Sequence, residues 1–443
     1  MTIYDITFFV FSLAYLPYLL IKGKAHKDFA ERFGKLPCKF REAGASRPLW
    51  VHAVSVGEVI AVKNFVDTFS KKYPERKIVF STTTETGNAI ARKILREDIP
   101  KFFFPLDFSF IVRRFVETLN PSAVVIMETE IWPNLILELW RRRLPVAVIN
   151  GRISDKSFGG YKKIKFFFGE ILKKVTLFCV QTEKDAGRIM LLGAPEENVK
   201  ITGNMKYDTA ESEFFSARDD KGHAFGIDAA DDIRNRLGID KSNKLIIAGS
   251  THKGEEGIIL EAYSDILSED ASVKLIIAPR HIDRTDSIKK LASGYGFKGI
   301  PTSEVCQAEK AGMPPGKTVF ILDTIGELSR LYSLATVVFI GGSLVRRGGH
   351  NIIEPAIFAK PIVFGPNMFN FRDITGSFLE NDAAIQVNDK NTLLEALRLL
   401  LKNEERRAAL SGNAKRLIDG NRGATERNVN EVAGLIAQKA APL

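Results

Sequence analysis

Short apolar runs that alternate with amphipathic segments dominate this sequence from Leu49 onward and constrain its fold more than any other feature. The runs are LWVHAVS, KIVFSTTT, KFFFPLD, AVVIMETE, VAVIN, TLFCVQT and VKITGN. Helical segments are predicted between them, at Glu58–Tyr73, about Thr86–Arg96, near Phe110–Leu119 and from about Pro133. Parallel strands need such crossovers, so the alternation predicts a doubly wound α/β domain.

A second alternating series follows a polar, acidic stretch and consists of KLIIAGS, VKLIIAPR, a short strand near Gly299, and TVFILD. The 443 residues leave room for two domains of roughly 200 residues each. Two Rossmann-like domains facing one another across a cleft are therefore expected. The predicted boundaries are 1–25 for a membrane anchor, 26–207 for the first domain, 208–235 for a linker, 236–425 for the second domain and 426–443 for a C-terminal tail.

The stretch Val337–Pro366 has the order strand, glycine-rich loop, helix, strand. Its loop holds four glycines and two arginines, and a helix is predicted to open near Asn351. Glycines let a backbone approach a ligand closely, and a helix N-terminus attracts anions. The loop therefore predicts a phosphate or nucleotide site, although it matches neither the P-loop nor the dinucleotide fingerprint. Asn351 with Glu354 also fits a simple helix cap.

Composition and charge narrow the class of partner. The chain carries 63 Lys and Arg against 53 acidic residues, a net charge of +10, in an otherwise ordinary globular composition. Such an excess suits an anionic partner: nucleic acid, a phosphorylated substrate or an acidic membrane surface. The three cysteines, Cys38, Cys179 and Cys306, are widely spaced, so no disulfide framework or zinc motif is expected.

The N-terminal run Ile6–Ile21 contains no charged residue over its 16 positions and is followed by three lysines. It is just short of the usual spanning length of about 20 residues. No small-residue cleavage site of the signal-peptide kind follows. We expect an uncleaved anchor, either a short span or an interfacial helix, with the rest of the chain on the cytoplasmic side. A buried apolar helix is the alternative.

Two carboxylates and a lysine follow strands of the first domain. Glu58 lies at a strand-to-helix turn and is a candidate general base, although a helix N-terminus would lower its pKa unless burial opposed that effect. In an extended chain, Glu128 and Glu130 would point to one side and need a cation or substrate between them. Lys206 precedes the linker and suits a phosphate contact. For each of these residues the alternative interpretation is a charge without a catalytic role, either a helix-dipole partner or a solvated side chain.

In the second domain, several strand ends carry groups that suit a phosphate. Ser250 follows one strand, Arg280 ends the next, and the N–H groups of Gly326–Leu328 are predicted at a helix N-terminus. Asp323 or Thr324 as an ordinary N-cap explains that last motif equally well. No DxD-like pair follows a strand, so no divalent metal and no cofactor are expected. The convergence of four strand ends on one edge favours a ligand site.

A basic aromatic segment, Tyr161–Lys174, is a candidate membrane contact. Its lysines would reach anionic lipid while Phe166, Phe167 and Phe168 enter the surface. An amphipathic helix with one buried face explains the pattern about as well. The basic residues cluster beside aromatic anchors rather than along a continuous stripe, so no nucleic-acid partner is expected.

Taken together, the motifs VHAVSVGEV, METEIWPNLI, TGNMKYD, AGSTHKGEE, APRH, DTIGEL and GGSLVRRGGHNIIEPA resemble those of the 3-deoxy-D-manno-octulosonic acid (Kdo) transferases of lipid A glycosylation. The resemblance runs from about Trp50 to Gly376. It implies a GT-B glycosyltransferase that moves Kdo from CMP-Kdo to the lipid A disaccharide precursor, lipid IVA, at the cytoplasmic face of the inner membrane of a Gram-negative bacterium.

The resemblance also implies roles for matching residues. Glu58 would accept a proton, and Glu128 with Lys206 would stabilise the transition state. Substrate contacts would come from a larger set: Ser250, Pro279, Arg280, Gly326, Glu327, Leu328, Asn351, Ile352, Ile353 and Glu354. The residues leave two other readings open, a GT-B enzyme that uses a UDP-sugar and a membrane-tethered nucleotide-binding protein without catalysis.

Overall fold

The computed structural model describes residues 4–5, 9, 31–34, 36–208, 233–305 and 317–440. The chain divides into two compact units, Met1–Thr209 with Asn421–Leu443, and Ala210–Gly420. The predicted anchor Ile6–Ile21 lies outside the described residues except for Phe9, as does most of the predicted linker. Within the described part of the chain, no helix is both long and apolar enough to cross a bilayer.

The first unit is built on a parallel sheet with the strand order β3-β2-β1-β4-β5-β6-β7. Its strands are β1 Leu49–Ala53, β2 Ile78–Thr82, β3 Lys101–Phe103, β4 Ala123–Met127, β5 Val146–Gly151, β6 Leu177–Val180 and β7 Val199–Ile201. Each corresponds to a predicted apolar run. In the register of β1, Leu49 pairs with Ile78 on one side and Ala123 on the other.

Helices connect these strands and cover both faces of the sheet. They are α1 Lys39–Ala45, α2 Val56–Lys72, α3 Glu85–Ile94, α4 Ser109–Leu119, α5 Pro133–Arg141, α6 Asp155–Lys163, α7 Lys165–Leu172 and α8 Glu183–Leu192. Strand β1 alternates its side chains between two cores: Trp50 packs in one, and Leu49 and Val51 pack in the other. Burial of both faces explains why the strands read as continuous apolar runs.

In one interpretation, the segment Tyr161–Lys174 was expected to form an amphipathic helix, but the helix is interrupted at Ile164. Helix α6 ends at Lys163 and α7 begins at Lys165. The aromatic side chains then separate: Phe168 is buried and stacks on Tyr161, with ring centroids 4.1 Å apart, whereas Phe166 is 95% exposed. The segment therefore has a buried face, as the amphipathic interpretation expected, together with a strongly exposed aromatic residue, and its contact with a membrane stays a prediction.

The C-terminal helix α16, Ala424–Ala440, belongs to the first unit. Val429 and Val432 join the core that contains Val59 and Phe65 of α2. The Asp208 carboxylate accepts backbone hydrogen bonds from Gly423, at 2.8 Å, and from Thr425, at 2.6 Å. The last part of the chain therefore completes the hydrophobic core of the N-terminal unit.

The second unit repeats the plan with the parallel order β10-β11-β9-β8-β12-β13-β14. Its strands are β8 Leu245–Thr251, β9 Lys274–Pro279, β10 Lys298–Pro301, β11 Thr318–Ile321, β12 Val337–Ile340, β13 Ile362–Phe364 and β14 Ile385–Gln386. Its helices are α9 Glu255–Glu269, α10 Thr285–Gly294, α11 Leu328–Leu331, α12 Ile353–Ile357, α13 Arg372–Glu380, α14 Lys390–Lys402 and α15 Glu404–Asn421. The prediction of two parallel-sheet α/β domains is confirmed.

Candidate active site

Glu58 is held at the first turn of α2, directly after β1. One of its carboxylate oxygens accepts a hydrogen bond from the backbone N–H of Val54, and the other accepts from the Ser55 hydroxyl, both at 2.8 Å. Glu58 is only 8% exposed. The two donors fix the direction of the carboxylate while the fold removes most of its hydration.

Burial, together with the nearby carboxylates of Glu128 and Glu130, raises the pKa of Glu58 to about 7. The hydrogen bonds from Val54 and Ser55 act in the opposite direction. The helix dipole alone would lower the pKa of a carboxylate at a helix N-terminus, so a general base at this position needs burial to raise its pKa. Glu58 meets this requirement. At neutral pH such a carboxylate exists in both protonation states, which suits proton transfer.

Lys206 and Glu128 form an ion pair in the same unit. The Lys206 ammonium nitrogen lies 3.0 Å from a Glu128 oxygen, and both side chains are about one quarter exposed or less. The backbone N–H of Lys206 donates to the side-chain oxygen of Asn204 at 2.9 Å. The three predicted catalytic residues therefore lie in one neighbourhood, with the cation beside the carboxylates.

The sequence predicted that Glu128 and Glu130 would point to one side if the chain were extended, and this condition is not met. Glu128 has a φ of +57°, so the chain is not extended there. Thr129 then exchanges hydrogen bonds with the backbone of Arg152, at 2.6 and 2.9 Å. Burial raises the pKa of Glu130, and the charge of Glu128 adds to that effect. Of the two carboxylates, Glu128 is the one paired with Lys206.

In the second unit, the glycine-rich loop after β12 already holds an anion that belongs to the protein. The buried Glu255 carboxylate accepts backbone hydrogen bonds from Gly342 at 2.7 Å, and from Ser343 and Leu344 at 2.9 Å. It also accepts from the backbone of His252 at 2.9 Å. The N–H groups of Gly342, Ser343 and Leu344 are therefore used by Glu255, and the phosphate or nucleotide site expected at this loop stays a prediction.

The glycines of these loops permit contacts within the protein. A Cβ on Gly341 would lie 2.4 Å from the Ser250 backbone oxygen, and one on Gly249 would collide with the Tyr332 hydroxyl. A Cβ on Gly365 would lie 2.4 Å from the backbone of Ser343. The sequence analysis expected glycines here to let the backbone approach a ligand. In the structure, the missing Cβ atoms let neighbouring parts of the protein pack closely at these positions.

Gly326 and Glu327 directly precede a helix of four residues. Helix α11 begins at Leu328, and neither Asp323 nor Thr324 caps it. Asp323 instead accepts hydrogen bonds from Thr302 and from the backbone of Ser303, at 2.9 and 3.0 Å. The N-cap explanation for this motif is therefore wrong. The N–H groups of Gly326–Leu328 do lie at the start of a helix, as expected.

Asn351 is a partial cap for α12, which begins at Ile353. Its side-chain oxygen accepts from the Ile353 backbone at 3.0 Å. The Glu354 carboxylate accepts from the side chains of Ser329, at 2.7 Å, and Asn351, at 3.3 Å, so its bonds are not those of a capping box. The side chains of Ile352 and Ile353 are buried, which leaves only their backbone to meet a ligand.

The predicted substrate residues converge within the second unit. Tyr332 of the segment after α11 lies against Gly249, next to Ser250, and the charge of Glu354 acts on it. Pro279 ends β9, and the backbone N–H of the exposed Arg280 donates to Thr251 at 3.0 Å. The ends of β8 and β9, the start of α11 and the start of α12 therefore lie close together.

Three histidines in this region were not identified from the sequence. His252, His281 and His350 follow β8, β9 and β12, which are neighbours in the sheet. The chain contains only six histidines, so the presence of three at adjacent strand ends was a signal that could have found them. No group of three or more His, Cys, Asp or Glu in the described residues has a geometry that would hold a metal ion.

Comparison with known proteins identifies the family. Residues 27–209 match the 3-deoxy-D-manno-octulosonic-acid transferase family. The chain is 32% identical over 420 residues to a 3-deoxy-D-manno-octulosonic acid transferase of Haemophilus influenzae, covering 94% of this chain and 93% of that protein. A transferase of the same name from Chlamydia pneumoniae is 31% identical over 415 residues, covering 90% and 88% of the two chains.

Among solved structures, the chain is similar to UDP-GlcNAc 2-epimerase from Neisseria meningitidis. The TM-score is 0.52 at 11% sequence identity, and the match covers 87% of this chain and all of that one. At this identity the likeness concerns the fold alone. Identity of nearly one third over almost the whole length of the curated relatives carries the assignment: the chain belongs to the Kdo transferase family and is a glycosyltransferase.

Proposed function

We propose that this protein transfers Kdo from CMP-Kdo to the lipid A disaccharide precursor lipid IVA, with inversion at the anomeric carbon, in lipopolysaccharide biosynthesis. The observation that carries the proposal is the environment of Glu58. It is a buried carboxylate with a pKa near 7, oriented by two hydrogen-bond donors and placed next to the Glu128–Lys206 ion pair. A general base for a sugar hydroxyl needs this combination of orientation and basicity.

In the proposed reaction, Glu58 takes the proton of an acceptor hydroxyl as the hydroxyl oxygen attacks the anomeric carbon of Kdo. The C–O bond to the phosphate breaks, and CMP leaves with the bonding electron pair. A single displacement of this kind inverts the anomeric centre. Lys206 would meet the carboxylate of the donor, and Glu128 would hold the ammonium in position.

The donor groups are assigned to the second unit. The predicted contacts to CMP are Arg280, the backbone N–H groups of Gly326–Leu328, and Asn351–Glu354. Arg280 is exposed and can form a charge-assisted hydrogen bond to phosphate. The GT-B arrangement, with both sets of residues at one cleft, stays a prediction.

We further propose that the first unit docks on the cytoplasmic face of the inner membrane through the face that carries Phe110 and Phe166. Their side chains are 67% and 95% exposed. The ring of Tyr4 stacks on Phe167 with centroids 6.2 Å apart, and the buried Asp5 carboxylate accepts from the backbone and hydroxyl of Ser109. Tyr4 and Asp5, which directly precede the apolar run Ile6–Ile21 in the sequence, therefore contact Phe167 and Ser109, the chain neighbours of the two exposed aromatic residues.

The decisive experiment is an assay of the full chain with CMP-Kdo and lipid IVA, read by mass spectrometry of the lipid product. A mass increase of one or more Kdo units is expected. A thermal-shift comparison of CMP with UDP separates this function from a UDP-sugar transferase, because only the cognate nucleotide should stabilise the protein. Stabilisation by UDP but not CMP, with no Kdo product, would refute the assignment.

A further inference from the structure

Three imidazole rings meet at the ends of β8, β9 and β12. The Nε2 atoms of His252 and His350 lie 3.0 Å apart, and the two rings are nearly parallel, with an interplanar angle of 7°. His281 meets His252 edge-on, with ring centroids 5.9 Å apart. At the 3.0 Å contact one nitrogen donates and the other accepts, so a single proton between the two rings satisfies this hydrogen bond.

The loops that carry this pair are fixed by Glu255. Its carboxylate accepts the backbone N–H of His252 and those of Gly342, Ser343 and Leu344, and it thereby ties the loop after β8 to the loop after β12. Both rings pack against Gly342, where a Cβ would lie 3.2 Å from the His350 Nε2 atom and 3.3 Å from the His252 Cδ2 atom. The two histidines are therefore held together by the backbone rather than meeting by chance at a surface.

The charges around the pair are mainly positive. The groups that act on it are Arg280, His281 and Arg284 after β9, Arg347 before His350, and Glu256 of α9. The Glu256 carboxylate is bound by Arg284, with nitrogen–oxygen distances of 2.6 and 3.1 Å, and Glu255 is used by the backbone. Burial, and then the charges of His252, Arg280 and His281, lower the pKa of His350 to about 4. Among the described groups that act on the pair, no carboxylate is paired with Arg280 or Arg347.

We propose that His252, His281 and His350 form a phosphate-binding site in the second unit, in which the His252–His350 pair takes up a proton when a phosphate monoester binds. If a second proton were bound at the 3.0 Å contact, the Nε2–H groups of the two rings would face each other and no hydrogen bond could form between them. One ring must then turn its N–H toward another acceptor, and a phosphate dianion is the acceptor that the surrounding cations favour. Identification of this phosphate as that of departing CMP rests on the proposed function.

The proposal has a chemical consequence for the reaction. In CMP-Kdo the phosphate is a diester with one negative charge, and transfer converts it to a monoester that gains a second charge. A site that binds more tightly as the phosphate gains charge stabilises the leaving group more than the donor, which is the condition for catalysis. Arg280 supplies a fixed charge, and the histidine pair supplies a charge that appears only when the anion is present.

The test is a pH titration of the full chain, carrying ¹³C-labelled histidine, by NMR of the imidazole Cε1–H signals. It is run in phosphate-free buffer and then with inorganic phosphate, CMP or cytidine. We expect phosphate and CMP, but not cytidine, to raise the pKa of His350 or His252 by about two units. For His350, whose pKa starts at about 4, this is equivalent to about tenfold in affinity at pH 5. Imidazole signals that titrate identically with and without saturating phosphate would overturn the site.

Variants assign the signals and supply a second readout. His252→Gln and His350→Gln are expected to weaken CMP binding about tenfold at pH 5, and less as the pH rises, whereas Lys253→Gln, which removes an exposed neighbouring charge, should leave it within twofold. Equal affinities in all three variants would contradict the proposal. If phosphate shifts the signals but no Kdo is transferred, the proposed function fails and this site stands. If Kdo is transferred while phosphate leaves the signals unmoved, the site fails and the function stands.

Discussion

The ammonium of Lys206 lies 3.0 Å from the carboxylate of Glu128, although the two residues are 78 positions apart in the chain. Glu128 follows β4 and Lys206 follows β7, and the sheet order places β5 and β6 between these strands. Parallel strands deliver their carboxyl ends to one edge, so residues from distant parts of the chain meet there. The pair therefore places a cation beside the acidic groups that include Glu58.

Lys206→Met should lower kcat by about 10²- to 10³-fold, because the positioned cation proposed to meet the donor carboxylate is lost. Steady-state kinetics with CMP-Kdo and lipid IVA would measure it. The matched control is Lys200→Met, which breaks an exposed ion pair to Glu431 and should leave kcat nearly unchanged. Equal effects of the two substitutions would exclude a catalytic role for Lys206.

Glu58→Gln should reduce transfer by about 10²- to 10⁴-fold, since glutamine keeps the size of the side chain but cannot accept the proton. Binding of CMP, followed by calorimetry, should stay within twofold of wild type. Glu85→Gln is the control, because Glu85 also lies in a first helical turn after a strand but is exposed. Turnover near the wild-type rate in Glu58→Gln would remove Glu58 as the base.

The pH dependence of kcat/KM should have an ascending limb with an apparent pKa of about 7. Glu58 must be ionised to accept a proton, and burial places its pKa near that value, so activity is lost as the pH falls through 7. Initial rates between pH 5 and 9 would define the limb. A limb near pH 4.5, the ordinary value for glutamate, would mean that the essential base is another group.

Glu255→Ala should lower the free energy of unfolding by roughly 3–5 kcal/mol, because four backbone N–H groups lose their shared acceptor inside the second unit. Urea denaturation followed by circular dichroism would measure the change. Glu395→Ala, at an exposed position of α14, should change stability by less than about 0.5 kcal/mol. A loss below about 1 kcal/mol for Glu255→Ala would show that the loops hold without it.

Phe166→Asp should weaken binding of the full chain to vesicles containing anionic lipid by about tenfold, since an exposed phenyl ring is replaced by a charge that lipid repels. Sedimentation with the vesicles would measure it. Leu399→Asp, which alters an exposed apolar residue of the second unit, is the control. Equal binding of both variants and wild type would place the membrane contact elsewhere.

The apolar alternation was sufficient to predict both parallel sheets, because a strand buried on both faces must be apolar throughout and needs a crossover helix. The short strand β14 was missed, since Ile385–Gln386 is too brief to carry a pattern. Helix starts at the candidate site also differed. Asp323 is a residue type that often caps a helix N-terminus, but its carboxylate accepts hydrogen bonds from Thr302 and Ser303 instead. Side-chain partners that come from another strand end are not encoded in local spacing.

The sequence by itself determined the two α/β units, the residues placed at the strand ends and the family resemblance, because strand period, turn residues and motif order are local properties. Only the tertiary structure decided what those residues meet. It buried Glu58 so that its pKa rises, joined Lys206 to Glu128, and filled the glycine-rich loop with the Glu255 carboxylate. Burial and hydrogen-bond partners depend on which strands become neighbours, and that order is fixed only when the whole sheet has formed.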